Sequence, residues 1–154
     1  MVNTVLLDID GILTDGAVYV DASGKETKRI LFEDIDAIFE LKREGFKVGF
    51  ITGEDNEFCE YVYRRFLPDY MIKGCKDKLR KFKNLAEGQG LDRAYVCYAG
   101  DSQRDIELLE FVGQSFAPSD ASVHVRNAAK KVLKAARGEG VIRELVDSLL
   151  GRLD

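Results

Sequence analysis

Two aspartates one residue apart, Asp8 and Asp10, stand where the short apolar run Val5-Leu6-Leu7 gives way to Gly11. A run of that kind forms a buried central strand, so the pair falls at a strand's end. Aspartate is rarely buried alone, and an acid pair on a core strand is costly unless a cation or ligand uses it. Gly11 lets the backbone turn sharply and come close to whatever the acids hold. The pattern is that of a metal-assisted nucleophile; the plainer alternative is an acid capping the next turn. Three later stretches carry complementary chemistry: Thr52-Gly53-Glu54, Lys78, and Gly100-Asp101 with Asp105. Carboxylate oxygens suit a hard cation such as Mg²⁺. Thr52 offers a hydroxyl, the amides at a helix start attract anions, and Lys78 adds a point charge for phosphate. Together these groups form a phosphoryl-transfer set. Taken singly, Thr52 or Asp101 could cap a helix, Asp105 could be surface charge, and Lys78 could be one solvated lysine beside Lys73, Lys76, Lys81 and Lys83.

The elements that must position them follow from pattern and punctuation. Residues 17–20 and 25–32 are β-prone and flank Asp21-Ala22-Ser23-Gly24, a hairpin signal beside the acid loop. A helix is expected over 34–44, stopped by Gly45, then a strand over 46–51 that delivers Thr52. A helix from Asp55 or Asn56 runs to Phe66 before Pro68, and a short strand over 70–72 leads to a helix over 77–87. The strand 94–98 delivers Asp101, a helix runs on to Val112, and 115–117 is a last short strand. Residues 120–136 read as mostly helical, and so do 141–150. Strands alternating with helices predict an α/β fold with a mostly parallel sheet and helices on both faces. In such sheets ligands sit beyond the carboxyl ends of the strands, where every motif above lies.

Composition narrows the function classes. The chain's 154 residues fit one domain, 1–154, with a hairpin flap over about 17–32. A net charge of −4 gives no nucleic-acid footprint. No apolar run approaches the ~20 residues of a membrane helix, and no signal peptide precedes the first strand. Three scattered cysteines, Cys59, Cys75 and Cys97, read as reduced thiols in a cytoplasm. His124 is the only histidine, which excludes a multi-histidine metal site.

In these motifs the chain resembles the haloacid dehalogenase superfamily of aspartate-nucleophile phosphatases. The first motif is Asp8-Ile9-Asp10-Gly11 with Leu13-Thr14, the second Ile51-Thr52-Gly53, the third Lys78, and the fourth Gly100-Asp101 with Asp105. More narrowly it is similar to the capless branch acting on 3-deoxy-octulosonate 8-phosphate and on nine-carbon keto-sugar-acid 9-phosphates. The opening Asp8-Ile9-Asp10-Gly11-Ile12-Leu13-Thr14-Asp15-Gly16 and the segment Gly138-Glu139-Gly140-Val141-Ile142-Arg143-Glu144 carry that likeness. The resemblance implies a Rossmann-like three-layer sandwich with no cap domain. It implies Asp8 as nucleophile, Asp10 as general acid and base, and Thr52 and Lys78 gripping the phosphoryl oxygens. It places Mg²⁺ on Asp8, the Asp10 carbonyl and Asp101, with Asp105 supporting the metal shell or Lys78. It also implies a homotetramer in which the hairpin (Tyr19, Ile30, Phe32) and the tail from Gly138 to Arg143 close neighbouring sites.

Three departures bear on substrate. Ser102 replaces the second acid usual in motif four, which predicts weaker metal affinity or altered support for Lys78. Glu54 stands where octulosonate enzymes carry arginine and is similar to the nine-carbon branch. An acid there accepts hydrogen bonds from sugar hydroxyls or an amine. That favours a nonulosonate 9-phosphate, with the octulosonate 8-phosphate as the alternative; a helix-start acid is the plainer role of Glu54. Arg64 and Arg65 are candidates to reach a substrate carboxylate across a subunit boundary, with solvated surface the plainer role, and Asp34-Ile35-Asp36-Ala37 replaces the usual Asp-Gly-x-Gly. Two rival classes remain. One is a receiver-type signalling domain, disfavoured because its phosphorylated aspartate ends the third strand. The other is a non-catalytic assembly domain partnering a sugar cytidylyltransferase.

Overall fold

The computed structural model describes residues 1–153. The first apolar run forms β1 (Thr4–Leu7), with all four residues buried. After the loop that carries Asp8 and Asp10 comes an antiparallel hairpin, β2 (Tyr19–Val20) with β3 (Glu26–Thr27), shorter than the sequence suggests. There follow α1 (Phe32–Arg43), β4 (Lys47–Ile51), α2 (Glu57–Phe66), β5 (Tyr70–Ile72) and α3 (Lys78–Gln89). Then come β6 (Val96–Ala99), α4 (Ile106–Phe111), β7 (Gln114–Ala117), α5 (Val123–Ala128), β8 (Lys131–Val132) and α6 (Val141–Leu149).

Six strands form one sheet in the order β5-β4-β1-β6-β7-β8, and every pairing in it is parallel. Alternation along β1 builds two cores. Val5 and Leu7 pack with Ile38 of α1, Val62 of α2 and Val146 of α6, while Leu6 packs with Phe82 of α3 and Leu109 of α4. The result is the expected three-layer α/β sandwich. Chain order reverses direction about β1, which places a switch point at its carboxyl end.

One expectation fails. Residues 120–136 are not one helix: α5 spans only Val123–Ala128. The chain then extends into β8, where Phe116 pairs with Lys131 and Ala117 with Val132. The Leu133 amide donates to the Ala117 carbonyl at 2.9 Å, and the Leu133 side chain enters the core. Pairing at the sheet edge and burial of Leu133 override the helix propensity of the alanine- and lysine-rich stretch. No helix among the described residues is long and apolar enough to cross a membrane.

Candidate active site

Each motif reaches the same end of the sheet by a local device. β1 stops at Asp8, whose Oδ1 accepts the next amide, Ile9 N–H, at 2.8 Å. The chain turns at Gly11, φ 88°, and Thr14 Oγ1 accepts from the Gly11 and Gly16 amides at 3.3 and 3.2 Å. Gly11 has a second reason to lack a side chain: a Cβ there would stand 1.9 Å from Asp101 Oδ2. That approach lets the first and fourth loops bring Asp8 and Asp101 together. β4 delivers Thr52, whose Oγ1 accepts the Glu54 amide at 3.2 Å, leaving its proton free to donate. Lys78 is the first residue of α3, behind the cap Asp77.

These residues surround a cleft of about 260 Å³ lined by Asp8, Asp10, Thr52, Gly53, Glu54, Lys78 and Asp101, with Ser102 and Arg104. The structure thus gathers all the candidate residues but Arg64 and Arg65. Arg65 lies instead in a neighbouring groove with Phe32, Phe58 and Tyr61.

Lys78 is buried, and its Nζ sits 3.1 Å from Asp8 Oδ1 and 2.7 Å from Asp105 Oδ1. It also donates to the Tyr98 hydroxyl at 3.2 Å, and that hydroxyl donates to Asp105 Oδ1 at 2.6 Å. Burial alone would depress the lysine, but Asp8 and then Asp105 hold it above the usual lysine range, so it stays charged. Asp105 Oδ2 accepts the Asp101 and Ser102 amides at 3.0 Å each and the Ser102 hydroxyl at 3.2 Å. Burial works to raise Asp105, yet the Lys78 charge and these donors hold it below the ordinary carboxylate range.

Asp8 and Asp101 are pushed the other way. Burial, then the charge of Asp105, raises Asp8 well above the usual value and Asp101 to about 6. Ligand atoms of Asp8, Asp101 and Asp105 lie within 4.8 Å of one another. Asp105 has its lone pairs committed, so Asp8 and Asp101 are the pair that a cation would relieve. The donors are oxygens alone, beside a glycine cradle that a Cβ would fill, and this fits a hard divalent ion.

Four residues at this end of the sheet had no assigned role in the sequence reading. Lys28, just past β3, donates to Asp10 Oδ1 at 2.7 Å, and its Nζ lies 5.0 Å over the Phe58 ring. Arg137 reaches Asp101 Oδ2 at 3.5 Å and is anchored to Asp120 at 3.2 Å. Tyr98 reads as a core strand residue, though a buried tyrosine hydroxyl usually signals a partner. Arg104 stands between two motif aspartates and carries no spacing signal. The glycine-containing tail lies at the rim of this chain's own site: the Gly138 carbonyl accepts from Arg29 Nη1 at 3.3 Å, and a Cβ on Gly138 would stand 2.5 Å from that of Asp15.

Comparison with known proteins is consistent with this geometry. A family model for haloacid dehalogenase-like hydrolases matches residues 64–145. The 3-deoxy-D-manno-octulosonate 8-phosphate phosphatase of Haemophilus influenzae is 32% identical over 150 residues, covering 95% of this chain and 81% of that protein. A cobalt-bound structure of the Haemophilus influenzae phosphatase aligns with TM-score 0.91 at 28% identity, covering 98% of this chain and 88% of that one. The Moraxella catarrhalis phosphatase, solved with magnesium, phosphate and its sugar acid, aligns with TM-score 0.92. At 24% identity over 98% of this chain and 87% of that one, it supports the fold alone.

Proposed function

This chain belongs to the haloacid dehalogenase-like hydrolases, and on that footing we propose that it is a Mg²⁺-dependent phosphatase of a keto-sugar-acid phosphate. The observation that carries the reading is the buried Asp8 carboxylate, fixed by Ile9 N–H and Lys78 beside Asp101 in the cleft. Asp8 attacks phosphorus, the bond from phosphorus to the sugar oxygen breaks, and Asp10 gives that oxygen a proton. Asp10 then takes a proton from water as the water attacks phosphorus, and the bond to the Asp8 oxygen breaks. Lys78 neutralises Asp8 enough for a phosphate to approach, and Thr52 donates to a phosphoryl oxygen. Mg²⁺ would be held by Asp8, Asp101 and the Asp10 carbonyl, and when bound it offsets charge on the phosphoryl oxygens. Ser102 does not undo the site, because its amide and hydroxyl both hold Asp105, which in turn holds Lys78. That argues against a purely structural domain.

On substrate, the named relatives are octulosonate phosphatases, which favours the eight-carbon acid over the nine-carbon one suggested by Glu54. Glu54 lines the cleft and remains the residue that would tune chain length, through hydrogen bonds to sugar hydroxyls. We also hold the chain to be a homo-oligomer whose hairpin meets a second copy; Val18, Tyr19, Val20 and Phe32 are exposed in the single chain. Ile30 is half-buried: it bridges to Thr14 and packs on the core, and it also lines a surface groove beside Phe32.

The test is phosphate release from 3-deoxy-D-manno-octulosonate 8-phosphate and from nine-carbon 9-phosphates with Mg²⁺. Turnover that is abolished in Asp8→Asn supports the reading, and no turnover of any sugar-acid phosphate overturns it. A Glu54→Arg variant that leaves the preference between the two lengths unmoved removes Glu54 from the substrate argument.

A further inference from the structure

We propose that Arg104 is a specificity-determining residue of this site, binding a second anionic group of the substrate, a carboxylate, at the rim of the cleft. The proposal rests on the phosphatase reading above and goes beyond it by naming what recognises the acid.

The charges that line the cleft are unbalanced. Four are acids, Asp8, Asp10, Glu54 and Asp101, against two cations, Lys78 and Arg104. A phosphorylated sugar acid brings two further anionic groups into this space, so each needs a cation. Lys78 is already committed to Asp8, Asp105 and Tyr98, and it serves the phosphoryl end. The nearby cations outside the lining are committed too, Lys28 to Asp10 and Arg137 to Asp101 and Asp120. Arg104 alone of these forms no ion pair and donates no side-chain hydrogen bond among the described residues.

Its placement is well determined at the root. Arg104 sits in the turn Gln103–Asp105, directly before the fully buried Asp105 that two amides, a hydroxyl, Tyr98 and Lys78 hold in place. From there the side chain runs over the second motif: Nη1 lies 3.2 Å from where a Cβ on Gly53 would stand. Gly53 adjoins Thr52, which faces the phosphoryl group, and Glu54, which faces the sugar. A planar guanidinium, always charged and free of an internal partner, rests where the remainder of the substrate must pass. Its fork matches a carboxylate through two parallel hydrogen bonds, which a lysine cannot reproduce.

The experiment compares wild type, Arg104→Gln and Arg104→Lys on 3-deoxy-D-manno-octulosonate 8-phosphate and on glucose 6-phosphate, which lacks the carboxylate. The expected result in Arg104→Gln is a fall of roughly tenfold or more in the ratio of kcat/KM between the acid and the neutral sugar, appearing in KM for the acid. Arg104→Lys restores part of the ratio, because it keeps the charge and loses the fork. An unchanged ratio in Arg104→Gln, or an equal loss on both substrates, overturns the assignment while leaving the phosphatase reading intact. A wild type that releases phosphate from neither substrate, nor from a nine-carbon 9-phosphate, overturns both. Because Arg104 is exposed, unfolding is not the expected cause of any loss, and an unaltered thermal midpoint checks this.

Discussion

Asp105 is the residue on which the cleft's electrostatics turn, though it need touch neither ion nor substrate. One oxygen accepts from Lys78 and Tyr98, and the other from two backbone amides and Ser102. In Asp105→Asn a donor replaces one of those acceptors and the charge facing Lys78 is lost. Breaking a buried pair costs about 3–5 kcal/mol, and the lower end applies because Lys78 keeps Asp8. We expect a loss near 3 kcal/mol in denaturant unfolding and roughly a tenfold to hundredfold fall in turnover, as for residues that orient a site from behind. An unmoved unfolding midpoint would show that Asp105 is not the anchor. The family resemblance left Asp105 between the metal shell and Lys78. The Tyr98 hydroxyl and the two amides, contributed by the neighbouring strand and turn, favour the support of Lys78. Lys28 was hidden for a related reason, since nothing in a hairpin's pattern says which acid its lysine will meet.

Helix α6 begins without a cap of its own: Gly140 stands at its N-cap, φ 93°, with no side chain to offer. Asp34 of α1 supplies the acceptor instead, with Oδ1 taking the Arg143 amide at 2.9 Å. Burial raises Asp34 from 3.8 to about 6, against the pull of that hydrogen bond. The folded state therefore binds this proton more tightly than the unfolded chain. The group's contribution is fully present below pH 4 and is lost as pH rises through about 6, on the order of 2–3 kcal/mol. Asp34→Asn keeps the acceptor and removes the titration. We predict that its stability relative to wild type improves as pH rises from about 4 to about 6, the interval the shift spans, read as the difference between urea midpoints. A difference that stays constant with pH would show that the Asp34 carboxylate titrates no differently in the folded state. The helices α1 and α6 themselves were legible from their periodicity and stop signals. The contact between Asp34 and α6 was not, because a cap supplied from 109 residues away leaves no local trace. The same holds for β8, whose pairing with β7 is a property of the sheet edge.

At the scale of the molecule, an acidic chain of net charge −4 must handle an anionic substrate, so binding depends on a few placed cations, not on the overall field. The convergence of four motifs at one end of the sheet was readable because βα alternation fixes that geometry. The outer shape was less so, since the hairpin's exposed face has meaning only against something else. Val20 is 61% and Phe32 is 79% exposed in the single chain, and both belong to the flap segment beside the cleft. Large apolar residues grouped in this way mark contact surfaces. If copies of this chain cover that face, wild type should run as a tetramer in light scattering, and a Val20→Glu, Phe32→Glu double variant should fall to a smaller species. Because the flap also supplies Lys28 to Asp10, loosening it should lower turnover along with the mass. A wild type that is monomeric at assay concentration would remove the assembly from the account. The site would then have to exclude water with its own hairpin, Arg137 and tail.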